Sequence, residues 1–158
     1  MHMAYHIMDD RINKVLDKSD NLDLLNDFFS ENDSVYSYMG IKITKFSRGH
    51  CELEIPYSEK LLRAGKVLHG GMIMAALDYA GGLTTMTFND GNDQVTQEIK
   101  INFLNPMYRG PFKITTDVIK AGKTAVVVEL KLYDADGKIG TIALGTWYII
   151  RDRIIQKK

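Results

Sequence analysis

Three residue types in one short segment could together act on a carbonyl group: a histidine, a pair of glycines and a carboxylate. The segment from Val67 to Leu83 reads VLHGGMIMAALDYAGGL, and Asp78 is the only charged residue between Gly70 and Phe88. An ionised carboxylate in apolar surroundings is destabilised by several kcal/mol unless it is paired or hydrogen-bonded. Asp78 is therefore either satisfied by a nearby hydroxyl or backbone donor, or it has a chemical task.

The His69-Gly70-Gly71 sequence is placed where a helix is expected to begin. A helix N-terminus presents unpaired backbone N–H groups and about half a positive charge. Glycines there carry no side chain that would block a ligand, so Gly70 and Gly71 could stabilise a developing oxyanion. The alternative is a tight loop-to-helix turn in which His69 only hydrogen-bonds the backbone.

The separation between the glycines and the carboxylate sets a geometric demand. Asp78 is eight positions after Gly70 in the sequence, which corresponds to ~12 Å along one helix axis. Reacting groups must converge to about 3 Å, so the two residues of one chain cannot serve the same carbonyl. A second subunit that presents its helix antiparallel across a two-fold axis would solve this. The spacing predicts a homodimer with two sites, each combining Gly70 of one chain with Asp78 of the other.

The element that carries these residues is a helix predicted from about His69 to Phe88, which is apolar on all sides and must therefore be enclosed. Tyr79 and Met74 are predicted to face a subunit contact. Period-two alternation predicts a hairpin at residues 41–55 and four further strands, Gln94 to Phe103, Phe112 to Lys120, Thr124 to Asp134 and Lys138 to Ile150. The pattern predicts an α+β fold in which a curved antiparallel six-stranded sheet wraps around one long helix.

The first part of the chain has helical periodicity. Ile12, Val15 and Leu16 form one short amphipathic pattern, and residues 22–29 form a second, which we expect to end at Asn32-Asp33-Ser34. We predict an N-terminal helical extension over 1–36 and one domain over 37–158.

Composition excludes several classes of function. The formal net charge of the 158 residues is zero. The sequence has no basic patch with interleaved aromatic residues, which would indicate nucleic-acid binding. The single cysteine, Cys51, excludes an intramolecular disulfide and suits a reducing cytoplasm, where we expect it to be a core residue rather than a nucleophile. No signal peptide is visible, no His/Cys/Asp cluster has metal-ligand spacing, and polar residues interrupt the apolar run, so neither a metal nor a membrane span is expected.

The motif LHGG, a carboxylate nine residues after the histidine and a glycine-rich helix end resemble the hotdog-fold acyl-CoA thioesterases. The resemblance is closest to the phenylacetyl-CoA thioesterase (PaaI) branch, which includes the mammalian thioesterase-superfamily-member-2 type, and it covers residues 39–150. It implies a hotdog fold and hydrolysis of an acyl- or aryl-CoA thioester. It implies no separate cofactor, because CoA is part of the substrate.

The resemblance also implies roles for the candidate catalytic residues. Gly70 would donate its N–H to the thioester carbonyl, and His69 would shape the turn. Asp78 would act as nucleophile or as general base on water, and Thr96 would orient the water or the carboxylate. Six residues before the histidine, the branch often has an asparagine, whereas this chain has Arg63. Arg63 could pair with Asp78, bind CoA phosphate or alter the chemistry.

Further residues are implied as substrate contacts. Gly71 belongs to the oxyanion turn, and two other segments resemble those that touch CoA. The residues implied to bind substrate are Arg63, Gly71, Asn105, Pro106, Lys120, Gly122, Lys123 and Thr124.

An acyl-CoA thioesterase is the leading interpretation, and the dimer is expected to pair into a dimer of dimers. A non-catalytic acyl-CoA- or lipid-binding hotdog domain is the alternative, although it would not need Asp78. A dehydratase or hydratase would need a histidine facing a carboxylate across the site, and the candidate, His69, lies at the glycine turn.

Overall fold

A six-stranded antiparallel sheet forms the body of the protein in a computed structural model, which describes residues 21–89 and 93–151. Neighbouring strands are antiparallel throughout, in the order β1-β2-β4-β5-β6-β3. The strands are β1 (Lys42–Ser47), β2 (His50–Ile55), β3 (Asp93–Phe103), β4 (Phe112–Ala121), β5 (Ala125–Tyr133) and β6 (Ile139–Ile150). The α+β class and the curved six-stranded sheet predicted from the sequence are confirmed.

Three α-helices and one short 3-10 helix (Glu59–Leu61) accompany the sheet in the described ranges; the α-helices are α1 (Leu22–Asn32), α2 (Ser34–Met39) and α3 (Gly70–Met86). The long helix α3 packs on one face of the sheet and touches strands β2 to β6. Buried and half-buried residues alternate along β5 because one face of that strand faces the core and the other faces outward. The core between α3 and the sheet is closed by Leu77, Ala80, Phe112, Ile114 and Trp147, among others.

The sheet does not enclose α3 on every side, contrary to the sequence expectation. Gly70, Met74 and Asp78 follow each other at intervals of four, so they lie on one face of the helix. Met74 is 48% exposed, and the other two are half-buried. The described chain therefore leaves a stripe of the helix uncovered, which contains both candidate ends of the site.

The N-terminal segment differs from the prediction at one point. α1 ends at Asn32, as predicted, but a further helix follows it: the Asp33 Oδ1 accepts the N–H groups of Val35 and Tyr36 and so caps α2. The expected helix over Ile12 to Leu16 lies outside the described residues, and the division into 1–36 and 37–158 stays a prediction.

Tyr79 faces the N-terminal helices α1 and α2, whereas the sequence analysis predicted that it faces a subunit contact. Its ring centre lies 6.0 Å from that of Phe29 and 5.5 Å from that of Tyr36. Burial raises the pKa of Tyr36 to about 12, and it also raises the pKa of Tyr79. Both phenols are therefore neutral at physiological pH, and α1 and α2 cover the side of α3 adjacent to Asp78.

Cys51 is buried in β2, as predicted for a core residue. Burial raises the pKa of its thiol far above neutral pH, so the reactive thiolate is not populated. Separately, none of the helices within residues 21–89 and 93–151 has the length and apolar character needed to cross a bilayer.

Neighbouring glycines on α3 offer a matched test of this packing. A Cβ on Gly81 would lie 2.0 Å from the Trp147 ring, whereas a Cβ on Gly82 would meet its nearest atom, on Gln94, at 3.6 Å. Gly81→Ala should lower the free energy of unfolding by about 1–3 kcal/mol through overpacking. Gly82→Ala should be neutral or stabilising by up to about 1 kcal/mol, because alanine favours helix. Urea unfolding at equal protomer concentration measures both, and equal effects would contradict this packing.

Candidate active site

The N-terminus of α3 leaves one backbone N–H free. The Nδ1 atom of His69 accepts the Gly71 N–H at 2.9 Å, and the His69 carbonyl accepts the N–H groups of Met72 and Ile73. Since Nδ1 accepts, the neutral ring carries its proton on Nε2. Gly70 N–H, the first of the helix, has no intrahelical acceptor and no partner among the described residues. From the sequence, we expect the backbone N–H groups of both glycines to be available to an oxyanion, but of these two only that of Gly70 is.

Backbone hydrogen bonds from two directions hold this helix end in place. The Leu68 N–H donates to the Met107 carbonyl and the His69 N–H to the Leu61 carbonyl, each at 2.9 Å. Leu68 is also bridged to Leu62 across a short turn. The position of Gly70 is thus set by long-range contacts on both sides, which suits a group that must meet a substrate without rearrangement.

A cleft of about 250 Å³ opens beside Gly70, and we call it the α3 cleft. Its polar residues are Arg63 and Asn105, and among the described residues no acidic side chain lines it. A Cβ on Gly70 would lie 3.7 Å from the Phe103 ring, so this ring forms a wall next to the free N–H. The remaining lining is apolar and consists of Val67, Leu68, Ile73, Phe103, Leu104, Pro106 and Met107.

Arg63 lies at the exposed start of the turn that leads into α3. Its backbone N–H donates to the Val67 carbonyl at 2.9 Å. Its guanidinium lies over Gly65, so that a Cβ added to Gly65 would be 2.3 Å from the Arg63 Nη1. The guanidinium has no ion pair or hydrogen bond with any residue in the described ranges. Within one chain, Arg63 therefore does not pair with Asp78, which was one of the possibilities that the sequence left open.

Asp78 pairs instead with Thr96. The Thr96 hydroxyl on β3 donates to Oδ1 of Asp78 at 2.5 Å. Asp78 is half-buried and Thr96 is exposed, so water can reach this Asp78–Thr96 pair. A carboxylate held by a hydroxyl yet open to water is suited to activate a water molecule or to attack a carbonyl carbon. Thr96, which only the resemblance singled out, is thus in contact with the carboxylate.

The predicted substrate-binding residues fall into two groups. Asn105 and Pro106 line the α3 cleft with Arg63, and the Asn105 amide is held by the Ile139 carbonyl at 2.8 Å. The exposed turn that contains Lys120, Gly122, Lys123 and Thr124 does not line the cleft. Ala125, which follows it, pairs with Tyr148, and Tyr148 pairs with Val95 next to Thr96. This turn is therefore about two strand spacings, roughly 10 Å, from the strand that carries the Asp78–Thr96 pair.

Sequence reasoning missed the apolar walls of the cleft. Phe103, Leu104 and Met107 surround Asn105 and Pro106 in the chain, and the first two are about half exposed. Large apolar residues next to an Asn-Pro turn were the available signal, because a turn at the surface is normally polar. In the described residues, no cluster of three or more His, Cys, Asp or Glu side chains could hold a metal.

Comparison with known proteins gives the family. The thioesterase superfamily model matches residues 65–141, which include every lining residue of the α3 cleft except Arg63, and both members of the Asp78–Thr96 pair. A Saccharolobus solfataricus protein that carries the name "Putative esterase" is 46% identical over 138 residues, which cover 87% of this chain and 99% of that protein.

Solved structures share the fold at lower sequence identity. A Haemophilus influenzae thioesterase is 23% identical with a TM-score of 0.77, over 87% of this chain and 95% of that one. The Escherichia coli PaaI protein is 23% identical with a TM-score of 0.71, over 77% and 88% of the two chains. A hypothetical thioesterase of Streptococcus pneumoniae, solved with coenzyme A, is 22% identical with a TM-score of 0.64, over 72% and 88%. The fold is the hotdog fold of these structures, and the chain belongs to the thioesterase superfamily.

Proposed function

We propose that the protein is an acyl-CoA thioesterase that hydrolyses an acyl- or aryl-CoA to the free acid and CoA. The observation that carries the proposal is the face of α3 that this chain leaves uncovered. That face has a free N–H donor at Gly70 and a water-accessible carboxylate at Asp78. These are the two groups that thioester hydrolysis requires, an electrophilic site for the carbonyl oxygen and a base or nucleophile.

Gly70 acts on the carbonyl oxygen. Its N–H, reinforced by the partial positive charge of the helix end, stabilises the negative charge that develops on that oxygen during attack. His69 supports this through its cap: a neutral imidazole satisfies Gly71 without placing a negative charge beside the oxyanion, as an aspartate cap would.

Asp78 supplies the attack in one of two ways. As a general base it takes a proton from water, the hydroxide adds to the carbonyl carbon, the C–S bond breaks and the CoA sulfur leaves as a thiolate that is then protonated. As a nucleophile it forms an anhydride with release of CoA, and water then cleaves the anhydride. In both routes, the hydroxyl of Thr96 holds the carboxylate in one orientation.

We propose that two chains share each site. The ~12 Å of helix between Gly70 and Asp78 prevents one chain from placing both on a single carbonyl. The uncovered stripe of α3 and the sheet-edge position of β3 leave both elements available for a second copy. Two α3 helices packed antiparallel would place the α3 cleft of one chain against the Asp78–Thr96 pair of the other. Association of such dimers into a dimer of dimers stays a prediction.

The CoA moiety accounts for the remaining candidates. The α3 cleft would take the thioester and part of the acyl chain, with Arg63 as a cation that has no partner within residues 21–89 and 93–151. The turn with Lys120 and Lys123 lies about two strand spacings from the Asp78–Thr96 pair of its own chain. In the shared site, the chain that supplies Asp78 would therefore also bring these lysines near the substrate, where they suit phosphate. The coenzyme A bound in the Streptococcus pneumoniae relative supports a CoA-type substrate.

A non-catalytic acyl-CoA- or lipid-binding domain is the second candidate, since the cleft and the lysines suit it equally. It gives no reason for a carboxylate held by Thr96 on the uncovered face of α3. A dehydratase is disfavoured by the state of His69, because its Nδ1 is occupied as the cap of α3.

The first test is Asp78→Asn, assayed by thiol release from short, long and aryl acyl-CoAs. The variant should fold normally and lose at least about 10²-fold in kcat, because general-base or nucleophilic assistance is typically worth 10²–10⁴. Asp27→Asn is the matched control, since Asp27 is exposed on α1. Hydrolysis near the wild-type rate in Asp78→Asn would favour the binding domain instead.

A second test concerns Arg63. If its guanidinium binds a CoA phosphate, Arg63→Ala and Arg63→Asn should both raise KM, more at low salt than at high salt, with little change in kcat. Lys60→Ala is the control, because it removes a cation from the preceding 3-10 helix, outside the α3 cleft. An unchanged KM in both Arg63 variants would show that this arginine is only a surface charge.

A further inference from the structure

Strand β3 forms one edge of the sheet, and the uncovered stripe of α3 lies along it. β3 is the last strand in the sheet order, so the backbone N–H and C=O groups on its outer side have no partner strand in the described chain. Phe103 lies against Gly70, and Thr96 donates to Asp78. Both ends of the proposed site therefore contact the same open edge.

A site shared by two chains requires a two-fold axis at a defined position on this edge. Gly70 of one chain meets Asp78 of the other only if the axis passes near Met74. Met74 is midway between them in the sequence and is 48% exposed. On β3, the position midway between the two contacts falls at Ile99 and Lys100. An axis perpendicular to the sheet at this position pairs the two β3 edges antiparallel and keeps both α3 helices on one face of the sheet.

The alternation of side chains allows only every second register of the two edges. Residues opposite each other in an antiparallel pair have side chains on the same face, so a slip of one residue would turn core residues outward. A slip of two residues keeps the faces but moves the second chain by about 7 Å along the strand. Because reacting groups must converge to about 3 Å, that slip would separate the carboxylate of one chain from the N–H of the other.

Two exposed charges lie at the expected axis, Glu98 and Lys100. Their neighbours on β6, Thr146 and Leu144, are uncharged, and neither charge has an ion pair within the described ranges. With the axis at Ile99, Glu98 of each chain lies opposite Lys100 of the other. A slip of two residues puts Lys100 opposite Lys100 in one direction and Glu98 opposite Glu98 in the other. Opposite charges stabilise a cross-strand pair and like charges destabilise it, so the register centred on Ile99 is favoured over both.

We propose that Glu98 and Lys100 are positioning residues of the site. Their ion pairs between two chains set the register of the paired β3 edges, and that register brings Gly70 of one chain to Asp78 of the other. The occupant of the open edge is thus a second copy of this chain. The inference rests on the proposed function in so far as it assumes a site shared by two chains, but the register can be measured without any activity.

Disulfide formation between introduced cysteines reports the register while both charges are kept. Chains with Ile99→Cys should form a linked dimer on mild oxidation, because the axis places residue 99 of both chains opposite each other with Cβ atoms about 5 Å apart. Chains with Ile101→Cys should link neither to each other nor to chains with Ile99→Cys. A link between these two variants would mark a register slipped by two residues and overturn the proposal, as would failure of Ile99→Cys to link. The native Cys51 is fully buried and does not compete.

Charge reversal tests whether the two side chains select this register. Glu98→Lys alone and Lys100→Glu alone put like charges opposite each other, and each should weaken the homodimer at least about tenfold in sedimentation at low salt. Both reversals in one chain restore both ion pairs and should restore the homodimer. A mixture of the two single variants also restores both pairs, so heterodimers should exceed the half expected from random exchange. At about 1 M salt these differences should largely disappear.

Glu129 and Lys131 provide the matched control, because they have the same charges and spacing on the interior strand β5. Reversing either should change the dissociation constant of the dimer by less than about twofold. Single variants at Glu98 and Lys100 that dimerise like the wild type, or a mixture with only the random share of heterodimers, would overturn the proposal. Selective heterodimers that release no thiol from any acyl-CoA would uphold the register and reject the proposed thioesterase.

Discussion

The length of α3 between Gly70 and Asp78 is the constraint on which the proposed site depends. The two residues are on one rigid helix and one face of it, and ~12 Å of helix axis separates them. No rotation of the Asp78 side chain moves its carboxylate by ~12 Å to the Gly70 N–H of the same chain. A mechanism that uses both groups therefore needs a second helix, and the uncovered stripe of α3 is the surface that such a helix would cover.

The rest of the fold keeps α3 from moving relative to its sheet. The Trp147 ring fills the space left by Gly81, so the helix approaches β6 closely at that point. The hydroxyls of Thr84 and Thr116, both fully buried, hydrogen-bond at 2.5 Å and join the helix to β4. A helix held at its N-terminus by Leu61 and Met107 and at its centre by Trp147 presents Gly70 and Asp78 in fixed positions. Preorganisation of this kind is what electrostatic stabilisation of a transition state requires.

The sequence predicted most of the fold because hydrophobic periodicity is strong in this chain. The helix predicted from His69 to Phe88 is observed at Gly70–Met86, and none of the last three strands differs from its predicted bounds by more than one residue at either end. Local chemistry was ambiguous elsewhere. Asp33 follows the last residue of α1, as predicted, but its side chain also caps α2, a helix that the sequence did not predict. Tyr79 packs on α1 and α2 because of tertiary contacts that a helical wheel does not contain.

The site was predictable where a residue type has few alternatives and unpredictable where placement depends on pairing. The glycines and the carboxylate of α3 could be selected from their types and spacing alone. The free N–H could not be assigned to Gly70, because that follows from the His69 cap on Gly71. Thr96 faces α3 because it pairs with Trp147 of β6, whose ring lies against α3, and the sequence does not show this pairing.

The most direct test of a shared site is complementation between two inactive chains. Gly70→Pro removes the N–H at the helix end, and Asp78→Asn removes the carboxylate, so each homodimer should be nearly inactive. In a heterodimer, one site receives both lesions and the other keeps an intact Gly70 and an intact Asp78. Thiol release should recover toward half of the wild-type activity per heterodimer after subunit exchange, with folding of the Gly70→Pro chain checked by circular dichroism. Folded heterodimers that remain inactive would contradict the account of a site built from two chains.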